Sequence, residues 1–318
     1  MPGGSAKADF GAQRDGLPHQ GTSTEAWRFI PERPEPFPMQ NLHRNPIETL
    51  ARLGYGARGV VYGLVGVLAL LAAVGSGGQT GGSRSALQTL LSQPFGKLWL
   101  CIIALGLAGF CIWRILEAIT DADHHGTDAK GWSIRGAHLI SGFIYGSLAV
   151  TALSLALGWG AGGGSEEARA QDSTAWLMAQ PFGRWLVGLV GLAIAGAGLS
   201  FLWKGWRGDV AQNLALPAGS RTWIVSLGRL GFAARGVVFV MVGGFLILAA
   251  WHSNSEEAHG LGGALEALQQ QPYGWLLLAL TALGLFAFGV FGLVQARYRH
   301  IDAPDLDDAK AAMAQVGR

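Results

Sequence analysis

Six long stretches without an acidic or basic side chain constrain this chain more than any other feature. Counted between successive charges, they run from Arg58 to Arg84 (25 residues), Lys97 to Arg114 (16), Arg135 to Glu166 (30), Arg184 to Lys204 (19), Arg235 to Glu256 (20) and Glu266 to Arg297 (30). Five exceed the ~18 residues that mark a membrane-spanning helix. The short one is bounded by Lys97 and Arg114, whose stems lie along a helix while their charges reach the headgroups, so it counts as a sixth span. Runs such as GLVGVLALLAAVG (63–75) lack the alternation over about 10 residues that a barrel strand needs. The expected fold is an all-α integral membrane protein with six transmembrane helices.

Composition agrees. Charged residues make up 14% of the 318 residues, against about 25% in a soluble domain. The 49 glycines follow no Gly-X-Y period and sit inside apolar runs, which excludes collagen and plain disorder. A net charge of +2 gives no reason to expect a nucleic-acid partner. Trp99, Trp113, Trp132, Trp159, Trp185, Trp203, Trp206, Trp251 and Trp275 fall at or near the ends of the runs, as an interfacial aromatic belt would.

With six spans, both tails and the second and fourth loops share one side. Near the spans that side carries thirteen Lys and Arg and the other only Arg84, Lys97, Arg169 and Arg184, which places both termini in the cytoplasm. Residues 1–49, with Pro31, Pro34, Pro36 and Pro38, read as a disordered cytoplasmic tail without a cleavable signal, and 303–318 as a second tail.

The spans are repetitive. RLGYGARGVVYG (52–63) returns as RLGFAARGVVFV (229–240) and more weakly as RGAHLISGFIYG (135–146). A partner element, ALQTLLSQPFGKLWL (86–100), returns as TAWLMAQPFGRWLV (174–187) and ALEALQQQPYGWLLL (264–278). The repeats are 50–126, 132–209 and 226–302, each contributing two spans. An even number of spans points every copy the same way, so the copies are parallel repeats about the membrane normal, with a pseudo-threefold ring as the expected packing. Gly59 and Gly63, Gly142 and Gly146, Gly236, and Gly106 and Gly109 supply small residues for close helix contact. The stretch before each Q-P-F/Y-G fits a short interfacial helix stopped by proline, with Gly96, Gly183 or Gly274 at the turn into the next span.

This combination, R-x5-R/S-G-x-x-Y/F followed by Q-P-F/Y-G and a second apolar span, three times over, resembles the six-helix bacterial membrane proteins of domain-of-unknown-function family 1206. The resemblance covers residues 50–302 and implies a bacterial inner-membrane protein of unassigned activity. The middle repeat departs from the pattern, with Ser141 in place of Arg58 and Arg235, and His138 in place of Tyr55 and Phe232.

The candidate site residues are arginines. Arg52, Arg135 and Arg229 are equivalent in the three repeats, and Arg58 and Arg235 follow six residues later in two. A cation at a helix start faces the positive end of the dipole, costing roughly 0.3–1 kcal/mol, so something must offset it. One reading is topological, with the arginines snorkelling to lipid phosphates. The sharper reading is a shared site for an anionic headgroup or small anion, gripped by guanidinium forks.

Other polar clusters carry less. TDADHHGTD (120–128) offers metal-ligand types but has no counterpart in the other repeats and reads as a solvated turn, as do His252, Glu256, Glu257 and His259. Cys101 and Cys111 lie ten residues apart on one helix and cannot bridge. Charges lie only at the ends of the runs, which disfavours a proton-coupled transporter. No catalytic or nucleotide-binding motif is present. The expectation is a non-enzymatic, lipid-interacting or scaffolding bundle without cofactor or metal. Its partners would be membrane lipids, including anionic ones, and a second copy of itself. The alternative is a channel or facilitator for an uncharged or anionic solute.

Overall fold

The computed structural model describes residues 46–120, 128–159, 164–212, 214–216 and 219–299. These residues form helices α1 (Pro46–Ala73), α2 (Ser83–Leu91), α3 (Gly96–Thr120), α4 (Ala129–Leu157), α5 (Glu166–Met178), α6 (Gly183–Arg207), α7 (Arg221–His252), α8 (Leu261–Gln269) and α9 (Gly274–Tyr298). Six of them, α1, α3, α4, α6, α7 and α9, are long and apolar enough to cross a membrane. Each repeat is thus a long helix, a short one and a second long one.

The Q-P-F/Y-G motif makes the hinge between the short helix and the second long one. Phe95, Phe182 and Tyr273 each adopt φ +60, so the left-handed turn falls on the aromatic residue and not on the glycine after it. The glycine is needed for space. A Cβ on Gly96, Gly183 or Gly274 would run into the carbonyl oxygens that end α2, α5 or α8. The glycine N–H donates to Gln93 O (2.9 Å), Gln180 O (2.8 Å) or Gln271 O (2.7 Å), closing the turn. The three aromatic rings are exposed, placed to anchor the hinge at an interface.

Packing follows the repeats. The second long helix of each copy lies against the first of the next: α3 on α4, α6 on α7, and α9 back on α1. Two of these interfaces are backbone against backbone. A Cβ on Gly59 would lie 2.7 Å from Gly289 O, and one on Gly198 2.8 Å from Gly236 O. The α3–α4 interface is looser: a Cβ on Gly146 would lie 3.0 Å from the Cys111 sulfur, a side chain and not backbone. Close approach matters because lipid tails leave packing as the main attraction between helices. Within a repeat, α1 packs on α3 and α7 on α9, but α4 and α6 are not a packed pair. The three interfaces between copies therefore correspond and those within copies do not, so no threefold axis is assigned.

Two expectations need correction. Trp113 is 2% exposed and belongs to the core, not to the belt, whereas Trp99, Trp132, Trp159, Trp185, Trp203, Trp206, Trp251 and Trp275 are exposed. Two of the charges bounding the runs are also not at helix ends. Arg58 and Arg235 lie well inside α1 and α7, because each helix begins far before its charge-free run.

On the side opposite the chain ends, α5 holds the other two short helices. Its first residues, Glu166 and Glu167, divide the work. Glu166 Oε2 accepts from Arg84 N (3.1 Å) in the first turn of α2, while Glu167 accepts from Gly260 N (2.9 Å) and Gly263 N (2.7 Å) at the start of α8. Free N–H groups and the positive dipole end both favour a carboxylate there. Burial nevertheless pushes the Glu166 carboxyl above its ordinary range, with the Arg84 N–H opposing that and Glu167 adding to it.

Candidate functional site

Arg52, Arg135 and Arg229 meet helix ends. Arg52 Nη1 donates to Ala296 O (3.1 Å) and Arg297 O (2.9 Å) at the end of α9. Arg135 donates to Ala118 O (2.6 Å) and Ile119 O (3.1 Å) at the end of α3, and Arg229 to Gly205 O (3.1 Å) and Trp206 O (3.3 Å) at the end of α6. The last carbonyls of a helix lack intrahelical partners and carry its negative dipole end. Each arginine thus caps its antiparallel neighbour, and Arg52 also pairs with Glu48 on its own helix at 2.7 Å. The three guanidinium groups sit at three separate interfaces and do not converge.

Arg58 and Arg235 do converge. Both line a cavity of about 640 Å³, together with Arg114, Lys204 and Arg299. One wall comes from α4 (Ile134, Ala137, His138, Ser141) and the facing one from α6 (Ser200, Phe201, Lys204), the two helices that do not pack together. Phe232 on α7, with Phe288 and Gln295 on α9, lines the interior, and Asp209 and Val210 in the α6–α7 connector complete the lining. That connector is pinned to the end of α9 by Ala215 N donating to Tyr298 O (2.9 Å).

Repeat register explains why these residues meet. Arg58, Ser141 and Arg235 hold one position in the three copies, and so do Tyr55, His138 and Phe232. Twenty-one residues beyond Gly96, Gly183 and Gly274 come Glu117, Lys204 and Gln295, an acid, a base and an amide. Equivalent positions of a cyclic packing face a common centre, and here they have diverged in chemistry.

Arg58, Arg114 and Arg235 lie within membrane-spanning helices and not beyond them. From the end of α1 at Ala73, Arg58 is about 22 Å away. From the His252 end of α7, Arg235 is about 26 Å away, and from the Gly96 end of α3, Arg114 is about 27 Å away. All three distances are shorter than the ~30 Å hydrocarbon core. Charge at that depth costs several kcal/mol unless compensated, and marks a functional site.

Compensation is uneven. Glu117, 1% exposed, accepts from Arg114 (2.7 Å) and Arg299 (3.3 Å), with His138 Nδ1 at 3.8 Å. Arg58, 5% exposed, donates to the Gln295 amide oxygen at 2.6 Å and lies over the rings of Tyr55, Phe110 and Phe288 at 5.1–5.2 Å. Arg235 is surrounded by Tyr62, Phe201, Phe239 and Phe288 at 4.8–5.2 Å. Ring faces attract cations but carry no countercharge. The Nε atoms of both arginines are buried without a hydrogen-bond partner. Among the described residues, five cations and one acid, Asp209, line the cavity, and Glu117 pairs with Arg114 and Arg299.

The sequence reading pointed to Arg58 and Arg235 but missed Arg114, Lys204, Arg299 and Glu117. It noted His138 and Ser141 only as departures from the repeat. Asp121 to Thr127 lie outside the described residues; Asp128 caps α4 by accepting from Gly131 N (2.8 Å). His252 pairs with Glu257 at 2.8 Å, His259 approaches Glu167 at 3.6 Å, and no His, Cys, Asp or Glu group among the described residues could hold a metal ion.

Three tandem hairpins forming a six-helix membrane bundle, each with an interfacial helix and a Q-P-F/Y-G hinge, define the class of protein. The chain belongs to the Domain of Unknown Function (DUF1206) family, whose model matches residues 53–121, 137–208 and 230–299. It is similar to the uncharacterised protein YxxB of Bacillus subtilis (strain 168), 38% identical over 258 residues, covering 80% of this chain and 92% of that one. No solved structure matches it.

Proposed function

We propose that this is a non-enzymatic, lipid-interacting membrane protein that holds one anionic-headgroup lipid in the cavity between α4 and α6. One observation carries the reading: the buried Arg58 and the half-buried Arg235, both on membrane-spanning helices, line a cavity whose two outer walls do not pack together. A lipid entering sideways brings its negative charge to the arginines and leaves its acyl chains among apolar side chains. Arg58 and Arg235 grip the headgroup, while Arg52, Arg135 and Arg229 cap helices. The side bearing the chain ends, rich in Lys and Arg, faces the cytoplasm of a bacterial inner membrane. A channel has less support, because Leu107, Leu278 and Leu285 are fully buried beyond the cavity and fill the bundle there.

The test is native mass spectrometry of the full chain released from nanodiscs of phosphatidylcholine doped with phosphatidylglycerol. The expected result is one phosphatidylglycerol per chain, lost in Ser200→Trp, which fills the mouth, and kept in Arg229→Gln. Equal retention of phosphatidylcholine would refute the reading, and facilitated anion flux in proteoliposomes would favour the channel instead.

A further inference from the structure

Resting on that reading, we infer that the cavity selects a terminal phosphate, a phosphomonoester headgroup with two negative charges, over the phosphodiester of ordinary anionic lipids. Three side chains in one repeat register line it: Arg58, Ser141 and Arg235. A terminal phosphoryl group carries up to two negative charges, which two guanidinium groups match, and a third non-bridging oxygen that the Ser141 hydroxyl can serve. A phosphodiester carries one charge and lacks that third oxygen.

The charges agree with this count. Arg58 touches an amide and aromatic rings, and Arg235 is enclosed by rings, all of them neutral. Stacking covers guanidinium faces and leaves the N–H edge for an acceptor in its plane, which is how arginine holds phosphate. Arg58 and Arg235 form no ion pair among the described residues, and their two positive charges are neutralised more fully by a dianion than by a monoanion.

The experiment uses the full chain in phosphatidylcholine nanodiscs containing equal phosphatidic acid and phosphatidylglycerol, read by native mass spectrometry, with inorganic phosphate as competitor. Phosphatidic acid should be retained about tenfold over phosphatidylglycerol, the scale of one charge-assisted hydrogen bond. Ser141→Ala should remove that preference while phosphatidylglycerol still binds, and Arg235→Gln should weaken both. Because Arg235→Gln disturbs a packed region, Ser141→Ala, at a half-buried site, is the deciding variant. Equal retention of the two lipids by the unmodified chain overturns the phosphomonoester inference and leaves the lipid reading standing. Retention of neither overturns both. Displacement of phosphatidic acid by inorganic phosphate at matching concentration supports the terminal-phosphate chemistry and overturns the lipid as its source.

Discussion

Replacing Gly289 by alanine tests whether backbone contact holds the bundle. The added Cβ would lie 2.5 Å from Gly63 N and 2.7 Å from Gly59 O, atoms of a helix backbone that cannot rotate away. Reaching ordinary contact near 3.4 Å requires α1 and α9 to separate by about 0.7–0.9 Å at that level. A gap of that size forfeits a quarter to a half of each atom pair's ~0.1–0.2 kcal/mol. Over about 40 pairs the loss is roughly 1–4 kcal/mol, centred near 2, offset by up to ~1 kcal/mol from alanine's better helix propensity. The expected net loss is thus about 1–2 kcal/mol. Gly63→Ala is the internal control, since a Cβ there meets nothing within 4 Å and only the propensity gain remains. Equilibrium unfolding in mixed dodecylmaltoside and dodecyl sulfate micelles reads both. Equal stability of the two variants, within about 0.5 kcal/mol, would refute the close-packing argument.

Other perturbations separate the remaining parts of the structure. Arg135→Gln removes two charge-assisted bonds to the end of α3, one of them 2.6 Å, and should cost about 1–2 kcal/mol in the same assay. Arg229→Gln, with bonds of 3.1 and 3.3 Å, should cost less. Phe182→Gly relieves a left-handed φ of +60 and should gain up to about 1 kcal/mol, whereas Gly183→Ala should lower stability, its Cβ meeting the last carbonyls of α5. The folded chain holds a proton on Glu166 more tightly than the unfolded chain does. That contribution is therefore complete below the ordinary carboxylate value of 4.5 and is lost as pH rises through the raised folded value. Melting temperature followed upward from that pH should fall more steeply in the native chain than in Glu166→Gln, and parallel curves would refute the burial argument.

The membrane architecture was legible because lipid imposes length and charge rules that a single sequence displays. Six runs and three motif pairs were enough to place every long helix. What escaped was depth. Counting from charge to charge treats a charge as a boundary, yet Arg58 and Arg235 are carried inside α1 and α7 because aromatic rings and Gln295 receive them. Gln295, Tyr62 and Phe288 come from helices far away in the chain, as do the carbonyls that hold Arg52. The dipole argument did ask what offsets a cation at a helix start, but its answer, the end of the preceding or the last helix, required knowing which helices touch. The cavity had one sequence signal: Glu117, Lys204 and Gln295 occupy one register with three chemistries.

Those divergent positions have a consequence for how such a molecule changes over generations. Three separate copies of one hairpin, assembled as a homotrimer, would receive every substitution three times over, so Ser141 could not replace arginine at one corner alone. Joined in a single chain, the copies are inherited together but altered one by one. The middle hairpin shows the result: it alone carries His138 and Ser141, its long helices stand apart, and its two glutamates hold the short helices of its neighbours. A single chain thus lets one hairpin leave a gap between its long helices and hold the short helices of its neighbours while the other two stay packed.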